Sequence, residues 1–356
     1  MGTAIGCELA GPGLEVTVLE RSIPGAEAST AAAGMLAPQL EAQAPGPMLE
    51  LSMRSRGLYP AWVKALTADS GVEVGYLESG ALQLAFTEAQ AHELEATVAW
   101  QQAAGLRASF LVGDEARALE PNLSTELVAA ALFPDDHQVD PRRLMQALTG
   151  AAARRGVRFH SGAVRGLLET QGAVTGVALE GGALTAELTI IAAGAWSSLL
   201  PGVGVDAAHL KPARGQMVEL SLPAPPLKHV LKSGLGYVVP RADGHCICGT
   251  TVELVGFDKR VTAEGLASVL GAATRLCPAL EDATVVSTWA GLRPWTEDGL
   301  PLLGRGPKPG LLVASGHYRN GILLAPITAR LLGQLVRGDR PTVDLTPFSP
   351  GRFTSR

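Results

Sequence analysis

Residues 1–20, MGTAIGCELAGPGLEVTVLE, contain the pattern that decides the fold. A helix-like stretch ends at a Gly-Pro-Gly break, and the apolar strand that follows ends in Glu20. This order matches the second half of a dinucleotide-binding βαβ unit, whose acidic residue lies about 20 positions after the glycines and binds the ribose. Gly2 fits the last glycine of that unit. The stretch predicts a Rossmann-like domain without its first strand, and a strand ending in a solvated glutamate is the alternative.

Residues 27–38, EASTAAAGMLAP, form a run of small side chains around Gly34. A nearly bare backbone lets a large ligand approach and receive hydrogen bonds from N–H groups, as in loops that hold phosphates. The alternative is a helix start capped by Ser29 or Thr30 and packed through its alanines.

The middle of the chain mixes helical and strand patterns. Apolar residues recur at helical spacing in residues 48–66 and 88–105. Asp140 followed by Pro141 predicts the start of another helix, because aspartate caps helices and proline favours the first helical position. The apolar run within LTIIAAGAWSS, residues 188–198, predicts a central parallel strand whose carboxyl end meets a ligand.

Residues 206–285 have a different character, with hairpins and short helices. YVVPRADGHCICGTT, residues 237–251, predicts a hairpin that turns at Asp243 and Gly244. We therefore expect an α/β protein, in which a Rossmann-like domain carries an inserted, largely antiparallel α+β domain.

Composition excludes several classes of protein. The 356 residues carry 29 Lys and Arg against 34 Asp and Glu, which gives a net charge of −5. This is not the positive charge expected of a nucleic-acid-binding protein. The apolar runs are shorter than the ~20 residues of a membrane span, and no signal-peptide pattern opens the chain, so we predict a cytoplasmic protein. The four cysteines do not complete a metal-ligand set, and no metal site is predicted.

Three polar residues stand in otherwise apolar stretches of the last third, namely Tyr237, Arg293 and Arg319. Because a buried guanidinium without a partner is costly, we expect the partner of Arg319 to be a carboxylate or phosphate of a ligand. Two guanidinium groups and a phenol suit a small carboxylate. The alternatives are an ion pair of Arg293 with Glu297 or Asp298, and ordinary hairpin packing of Tyr237.

The sequence offers no convincing protein nucleophile. No Gly-x-Ser-x-Gly elbow is present, and His317 is the one histidine near the two arginines. A lone histidine is more often a hydrogen-bonded structural residue than a general base. A ribose-binding acid and a carboxylate site without a nucleophile favour a redox cofactor that supplies the chemistry.

Three segments, EASTAAAGMLAP, GLRPWTEDGLPLLGR and ASGHYRNGILLAP, occur in this order and resemble the FAD-dependent D-amino-acid oxidase family, in particular its glycine-oxidising branch in thiamine biosynthesis. The resemblance extends from Gly2 nearly to the C-terminus. It implies an FAD-binding domain made of residues 1–60, 140–205 and 285–356, and a substrate domain made of residues 61–139 and 206–284.

The resemblance also implies roles for single residues. Non-covalent FAD would contact Gly2, Glu20, Arg21, Ala28, Ser29, Ala33, Gly34, Met35, Val164, His317, Tyr318, Asn320, Gly321, Ile322 and Leu323. Arg293 and Arg319, with Tyr237 alongside, would hold the substrate carboxylate. The implied reaction is the oxidative deamination by oxygen of glycine, sarcosine or D-alanine to the 2-oxo acid, ammonia and hydrogen peroxide, without a protein base. A helix that starts near Gly321, or at Pro326, would point its positive end at the flavin.

The chain departs from the family pattern at its N-terminus, where the first strand of the βαβ unit is missing. We expect weak FAD retention if that start is genuine, and an upstream start is the simpler explanation. Leu235 also stands where a polar residue near the substrate would help. The alternatives are a sarcosine or D-amino-acid oxidase or dehydrogenase of the same fold, and a non-catalytic remnant that binds no flavin. A homo-oligomer is compatible with the sequence. The negative net charge disfavours a tRNA-modifying enzyme of the same fold.

Overall fold

The computed structural model describes residues 1–353. The helices are α1 (Gly2–Leu9), α2 (Ala28–Ala31), α3 (Pro38–Glu41), α4 (Pro47–Ser70), α5 (Glu88–Ala103), α6 (Gly113–Leu119), α7 (Pro141–Arg154), α8 (Ala263–Leu276) and α9 (Ala325–Arg337). Short 3₁₀ turns span Gly194–Leu199, Pro278–Asp282, Tyr318–Asn320, Thr346–Phe348 and Pro350–Phe353.

The strands are β1 (Thr17–Glu20), β2 (Met35–Leu36), β3 (Ala81–Ala85), β4 (Ser109–Val112), β5 (Ala129–Phe133), β6 (His137–Gln138), β7 (Arg158–Ser161), β8 (Val164–Thr170), β9 (Ala173–Leu179), β10 (Gly182–Thr185), β11 (Thr189–Ile191), β12 (Leu210–Ser221), β13 (Val230–Lys232), β14 (Tyr237–Pro240), β15 (His245–Gly249), β16 (Thr284–Thr296), β17 (Leu302–Arg305) and β18 (Leu311–Ser315). They form one large sheet and several small ones, so the predicted α/β class is confirmed.

The large sheet has eight strands in the order β16-β12-β15-β14-β13-β3-β5-β4. All neighbours are antiparallel except β13 and β3. The predicted hairpin is confirmed, because β14 pairs with β15 and Tyr237 lies opposite Gly249. Helix α8 covers one face through Val269, Ala273 and Leu276, which pack in the same core cluster as residues of β12 and β14.

Parallel strands form the other part of the molecule. β1 pairs with β7 in parallel, and β11 pairs with β18 in parallel, as predicted for the apolar run before Ala192. The central position predicted for that strand is wrong, because β11 forms the edge of a three-stranded sheet with the order β11-β18-β17. β17 adds an antiparallel edge to β18, while β8, β9 and β10 form a separate antiparallel sheet. Helices α1, α4, α7 and α9 share one core cluster that packs against these parallel strands.

Helix α7 starts where the sequence predicts. Asp140 is the N-cap, and its carboxylate accepts hydrogen bonds from the backbone N–H groups of Arg142 at 2.8 Å and Arg143 at 3.2 Å. Pro141 occupies the first turn, where no N–H partner is needed. The apolar face includes Leu144 and further buried residues at helical spacing, and it faces α4 and α1 in the core.

The long strand β16 runs between the two parts. It pairs with β12 along its length and thereby belongs to the eight-stranded sheet, although it falls in the third stretch predicted for the FAD-binding domain. The two-domain boundaries stay a prediction. Among the helices of residues 1–353, none combines the length and the apolar character needed to cross a membrane.

Candidate active site

A cavity of about 1280 Å³ lies between the parallel strands and the eight-stranded sheet. Of the residues predicted for cofactor or substrate, its wall contains Gly2, Glu20, Arg21, Ala28, Ser29, Ala33, Gly34, Met35, Val164, Tyr237, Arg293, His317, Tyr318, Arg319, Gly321 and Ile322. Asn320 and Leu323 are not part of that wall, and the Leu323 carbonyl accepts a hydrogen bond of 2.6 Å from Ser55 Oγ. Residues distant in sequence therefore line one space.

The cavity wall at residues 27–34 is a small-residue loop whose conformation depends on Gly34. Its φ of +85° lies in the left-handed region, and a Cβ atom there would stand 2.0 Å from the Val139 carbonyl oxygen. Trp289 Nε1 donates to the Ala31 carbonyl at 3.0 Å, and Arg241 Nη2 donates to the Ala33 carbonyl at 2.7 Å. Side chains of the eight-stranded sheet region thus hold the loop in place.

The loop also contains the short helix α2, so the alternative of a helix start was correct in part. The residue at its N-cap is Glu27, and no side chain caps the helix. The expected capping by Ser29 or Thr30 is therefore wrong. Thr30 Oγ1 instead donates to the Gly25 carbonyl at 2.8 Å, which closes the turn before α2.

The loop fits the FAD predicted from the sequence. The backbone N–H groups of Ala33 and Gly34 donate to no other residue within 1–353, and both residues line the cavity. Unpaired N–H groups in a wall of small residues suit an anion such as a pyrophosphate. Glu20 ends β1 on the same wall, which is the position of a ribose-binding acid.

Arg293 reaches the cavity from β16. Its Nη2 donates to Thr250 Oγ1 at 2.5 Å and its Nη1 donates to the Thr251 carbonyl at 3.3 Å. The guanidinium lies directly over Gly215, where a Cβ atom would stand 2.1 Å from Nη2. A guanidinium has five N–H donors, so these contacts leave donors for a carboxylate in the cavity.

The alternative ion pairs of Arg293 do not form. Glu297 lies 3.0 Å from His209 Nδ1, and Asp298 pairs with Arg352 at 2.6 Å. Because both carboxylates have other partners, Arg293 has no acidic side chain of its own in direct contact within residues 1–353.

Tyr237 stands beside Arg293. Its hydroxyl lies 3.3 Å from Met217 Sδ, and a Cβ atom on Gly249 would come within 2.7 Å of the phenol oxygen. Burial raises the pKa of Tyr237, while the neighbouring Arg293 lowers it in part. The phenol therefore remains protonated. Its one O–H donates to the weak thioether acceptor Met217 Sδ, and it would have to turn from there to donate to a carboxylate.

Arg319 has a partner within the chain, which corrects the expectation that its partner belongs to a ligand. Its Nη1 lies 3.7 Å from Glu41 Oε2, and Lys232 Nζ lies 2.7 Å from Glu41 Oε1. Burial raises the pKa of Glu41, but Lys232, Arg319 and Arg293 together lower it below the usual value. Glu41 is thus an anion among three cations, and the four groups carry a net charge of +2.

A buried network positions Glu41 at the end of α3. The Asp136 carboxylate accepts hydrogen bonds from the backbone N–H groups of Leu40 at 2.7 Å and Gln39 at 3.4 Å. Arg56 Nη1 donates to the same carboxylate at 2.8 Å. Asp136 is fully buried, and burial raises the pKa of its carboxyl to about 7, although the N–H bonds and the Arg56 ion pair lower it. These contacts therefore offset only part of the cost of burial while they fix the short helix that carries Glu41.

His317 is buried at the cavity wall, and its Nε2 lies 3.2 Å from Thr328 Oγ1. Burial lowers the pKa of His317 to about 3. The imidazole is therefore neutral near pH 7. This agrees with the structural role favoured by the sequence.

Helix α9, which follows His317 in the chain, starts later than the first expected position near Gly321. A 3₁₀ turn spans Tyr318–Asn320, and α9 begins at Ala325 with Pro326 in its first turn. A helix start near Gly321 is therefore wrong, and the alternative at Pro326 agrees with the structure. The missing N–H of proline costs nothing in the first turn, which explains this boundary.

Two charged residues of the site were missed by the sequence analysis, Glu41 and Lys232. Glu41 follows an ordinary short helical pattern, and Lys232 ends a short strand that pairs in parallel with β3. Neither has a local motif. The available signal was the requirement for a partner of Arg319, which was assigned to a ligand instead.

Comparison with known proteins gives a consistent set of similarities. Residues 1–335 match the DAO family, described as FAD dependent oxidoreductase. The chain is 38% identical to glycine oxidase of Geobacillus kaustophilus over 100% of this chain and 95% of that protein. The crystal structure of glycine oxidase from that organism superposes with a TM-score of 0.94 at 37% identity, covering 99% of this chain and 95% of that chain.

A second kind of relative is longer. The chain is 40% identical to the bifunctional protein ThiO/ThiG of Synechocystis sp., over 96% of this chain and 50% of that protein. The chain thus spans about half the length of this bifunctional relative.

Proposed function

Because the chain belongs to the DAO family of FAD-dependent oxidoreductases, we propose that it oxidises the amine carbon of glycine or a similarly small amino acid with FAD and oxygen. The predicted products are the 2-oxo acid, ammonia and hydrogen peroxide. One observation carries the proposal: Arg293, Arg319 and Tyr237, which are far apart in sequence, line the same cavity as the small-residue loop at 27–34.

Arg293 is the anchor of the substrate carboxylate in this proposal. Its contacts with Thr250 and Thr251 orient the guanidinium without neutralising it, since both partners are uncharged. A carboxylate then receives charge-assisted hydrogen bonds from the remaining N–H groups. The protonated phenol of Tyr237 adds a neutral donor beside it.

Arg319, Glu41 and Lys232 set the charge around the anchor. The ion pair with Glu41 weakens the attraction of Arg319 for a second anion, while the net positive charge of the site still favours a substrate with one carboxylate. This balance supports a small monocarboxylic amine as substrate.

FAD, when bound, would supply the two-electron oxidation of the amine carbon. The residues of the chain bind the substrate, orient it and exclude water. His317 is buried, hydrogen-bonded to Thr328 and neutral, with a pKa of about 3, so it is a poor base for the amine. Glu41 is held by two cations. Catalysis by this chain is accordingly a matter of positioning.

The similarity to half of a bifunctional ThiO/ThiG protein supports a role in thiamine thiazole biosynthesis.

The test measures hydrogen peroxide formation from glycine, sarcosine and D-alanine by the FAD-loaded protein. We expect turnover of at least one of these substrates, with glycine fastest. Loss of turnover on replacement of Arg293 by alanine, with the flavin spectrum retained, would support the anchor. An FAD-loaded protein that oxidises none of the three, with oxygen or with an artificial electron acceptor, would refute the proposal.

A further inference from the structure

A cation–π pair stands at the adenosine end of the cavity. Arg21, which follows the acid Glu20, places its guanidinium carbon 4.0 Å from the ring centroid of Trp196. All three residues line the cavity. Trp196 belongs to the turn after β11, so the pair lies within the part of the molecule built on parallel strands.

A segment of the eight-stranded sheet region reaches this pair. Residues 250–261, called the crossing segment below, leave β15 and line the cavity at their start. The ring of Phe257 lies 5.3 Å from the ring of Trp196 between centroids. Lys259 Nζ lies 2.8 Å from Glu27 Oε2. The crossing segment therefore makes one aromatic and one ionic contact with the opposite wall.

The base of the crossing segment is firmly held. Arg214 on β12 is 4% exposed and forms ion pairs with Glu253 and Asp258. Gln216, also buried, donates to Glu253 at 2.8 Å and accepts from the Thr262 N–H at 2.7 Å. Because both ends of the segment are fixed to one strand, the position of its tip is defined by the fold.

The crossing segment also begins at the substrate anchor, since Thr250 Oγ1 accepts the hydrogen bond from Arg293. One stretch of twelve residues thus extends from the carboxylate end of the cavity to its adenosine end. A ligand as long as FAD would reach both ends, so the segment is suited to retain it.

We propose that the crossing segment is a cofactor-retention strap, in which Phe257 and Lys259 close the adenosine end of the FAD cavity over Trp196 and Glu27. This assigns a cofactor-holding function to residues outside the small-residue loop and outside the predicted cofactor contacts. FAD leaves only when these contacts open, so the strap slows its dissociation.

The test compares variants of the FAD-loaded protein by the rate at which flavin fluorescence appears after dilution. Phe257→Ala removes the ring contact and should speed release about 3- to 10-fold. Lys259→Gln removes a half-exposed ion pair and should speed release about 2-fold at low salt, with no effect at high salt. Leu254→Ala is the matched control, because Leu254 lies in the same segment and is 61% exposed.

The melting temperature of each FAD-free variant is measured alongside, because the Phe257–Trp196 and Lys259–Glu27 contacts are made within the chain and their loss also affects the FAD-free protein. Equal release rates in Phe257→Ala, Lys259→Gln and the control would overturn the proposal. If Phe257→Ala destabilises the FAD-free protein, the proposal is judged only by the salt dependence of flavin release from Lys259→Gln. Release is measured without an amino acid, so the result is independent of the proposed substrate.

Discussion

The two ends of the cavity are lined by different kinds of groups. At the proposed cofactor end, the wall consists of small side chains and backbone N–H groups around Gly34, held from outside by Trp289 and Arg241. At the proposed carboxylate end, the wall consists of Arg293, Arg319 and their charged neighbours. The first end depends on the shape of the backbone, and the second depends on the balance of side-chain charges.

This difference determines how each end should respond to mutation. A substitution at the cofactor end changes the space available and should affect FAD retention and folding together. A substitution at the carboxylate end changes the charge and should affect the kinetics of one class of substrate, with the fold intact.

The largest effect is expected for Arg293→Ala. Removing the anchor leaves the substrate carboxylate without its charge-assisted hydrogen bonds, and kcat/KM for the preferred amino acid should fall by about 100- to 1,000-fold. Steady-state peroxide formation measures this, and the flavin content should stay equal to that of the unmodified protein. Arg305→Ala, at an exposed arginine of β17, serves as the control. Loss of flavin in Arg293→Ala would mean that the two ends are not separable.

Gly34→Ala tests the cofactor end. The positive φ and the contact with the Val139 carbonyl predict a loss of about 2 kcal/mol or more in the free energy of unfolding, together with weaker FAD binding. Urea unfolding and FAD titration measure the two quantities. Gly11→Ala is the control, because no atom lies within 4 Å of the Cβ position at Gly11. Unchanged FAD affinity would contradict a backbone-shaped cofactor end.

Glu41→Gln tests the charge balance. Without its negative charge, Arg319 and Lys232 lose their common partner and should attract a second carboxylate. We expect kcat/KM for an amine with two carboxylates, such as iminodiacetate, to rise about 5- to 10-fold relative to glycine. Glu8→Gln is the control, because Glu8 pairs with Arg337 outside the cavity wall. A change of equal size for both substrates would exclude a role in charge selection.

Local signals explain what could be predicted from the sequence. The start of α7 followed from Asp140 and Pro141, and the β14–β15 hairpin followed from the turn at Asp243 and Gly244. Such features depend on a few consecutive residues, whose conformational preferences act before any tertiary contact forms.

The contacts of the carboxylate end could not be predicted in this way. Glu41 and Lys232 are 191 positions apart, and they meet because β13 pairs in parallel with β3 and α3 is held by Asp136. The partner of Arg319 was therefore assigned to a ligand, since no local pattern indicated an acid within the chain. A charge can be recognised in a sequence, whereas its partner depends on the tertiary fold.

The smallest effect on activity is expected for His317→Gln, which separates folding from chemistry. The folded-state pKa of about 3 lies below the unfolded value near 6.5, so between these values the unfolded chain binds more protons and stability falls as pH decreases. His317→Gln should reduce this loss by about 1 kcal/mol at pH 5.5 relative to pH 7.5, measured by urea unfolding. The exposed His92, replaced by glutamine, is the control. The pH profile of kcat/KM should keep its shape in both variants, because a neutral, buried imidazole takes no proton from the substrate. A lost inflection in His317→Gln alone would instead identify His317 as the base and contradict catalysis by positioning.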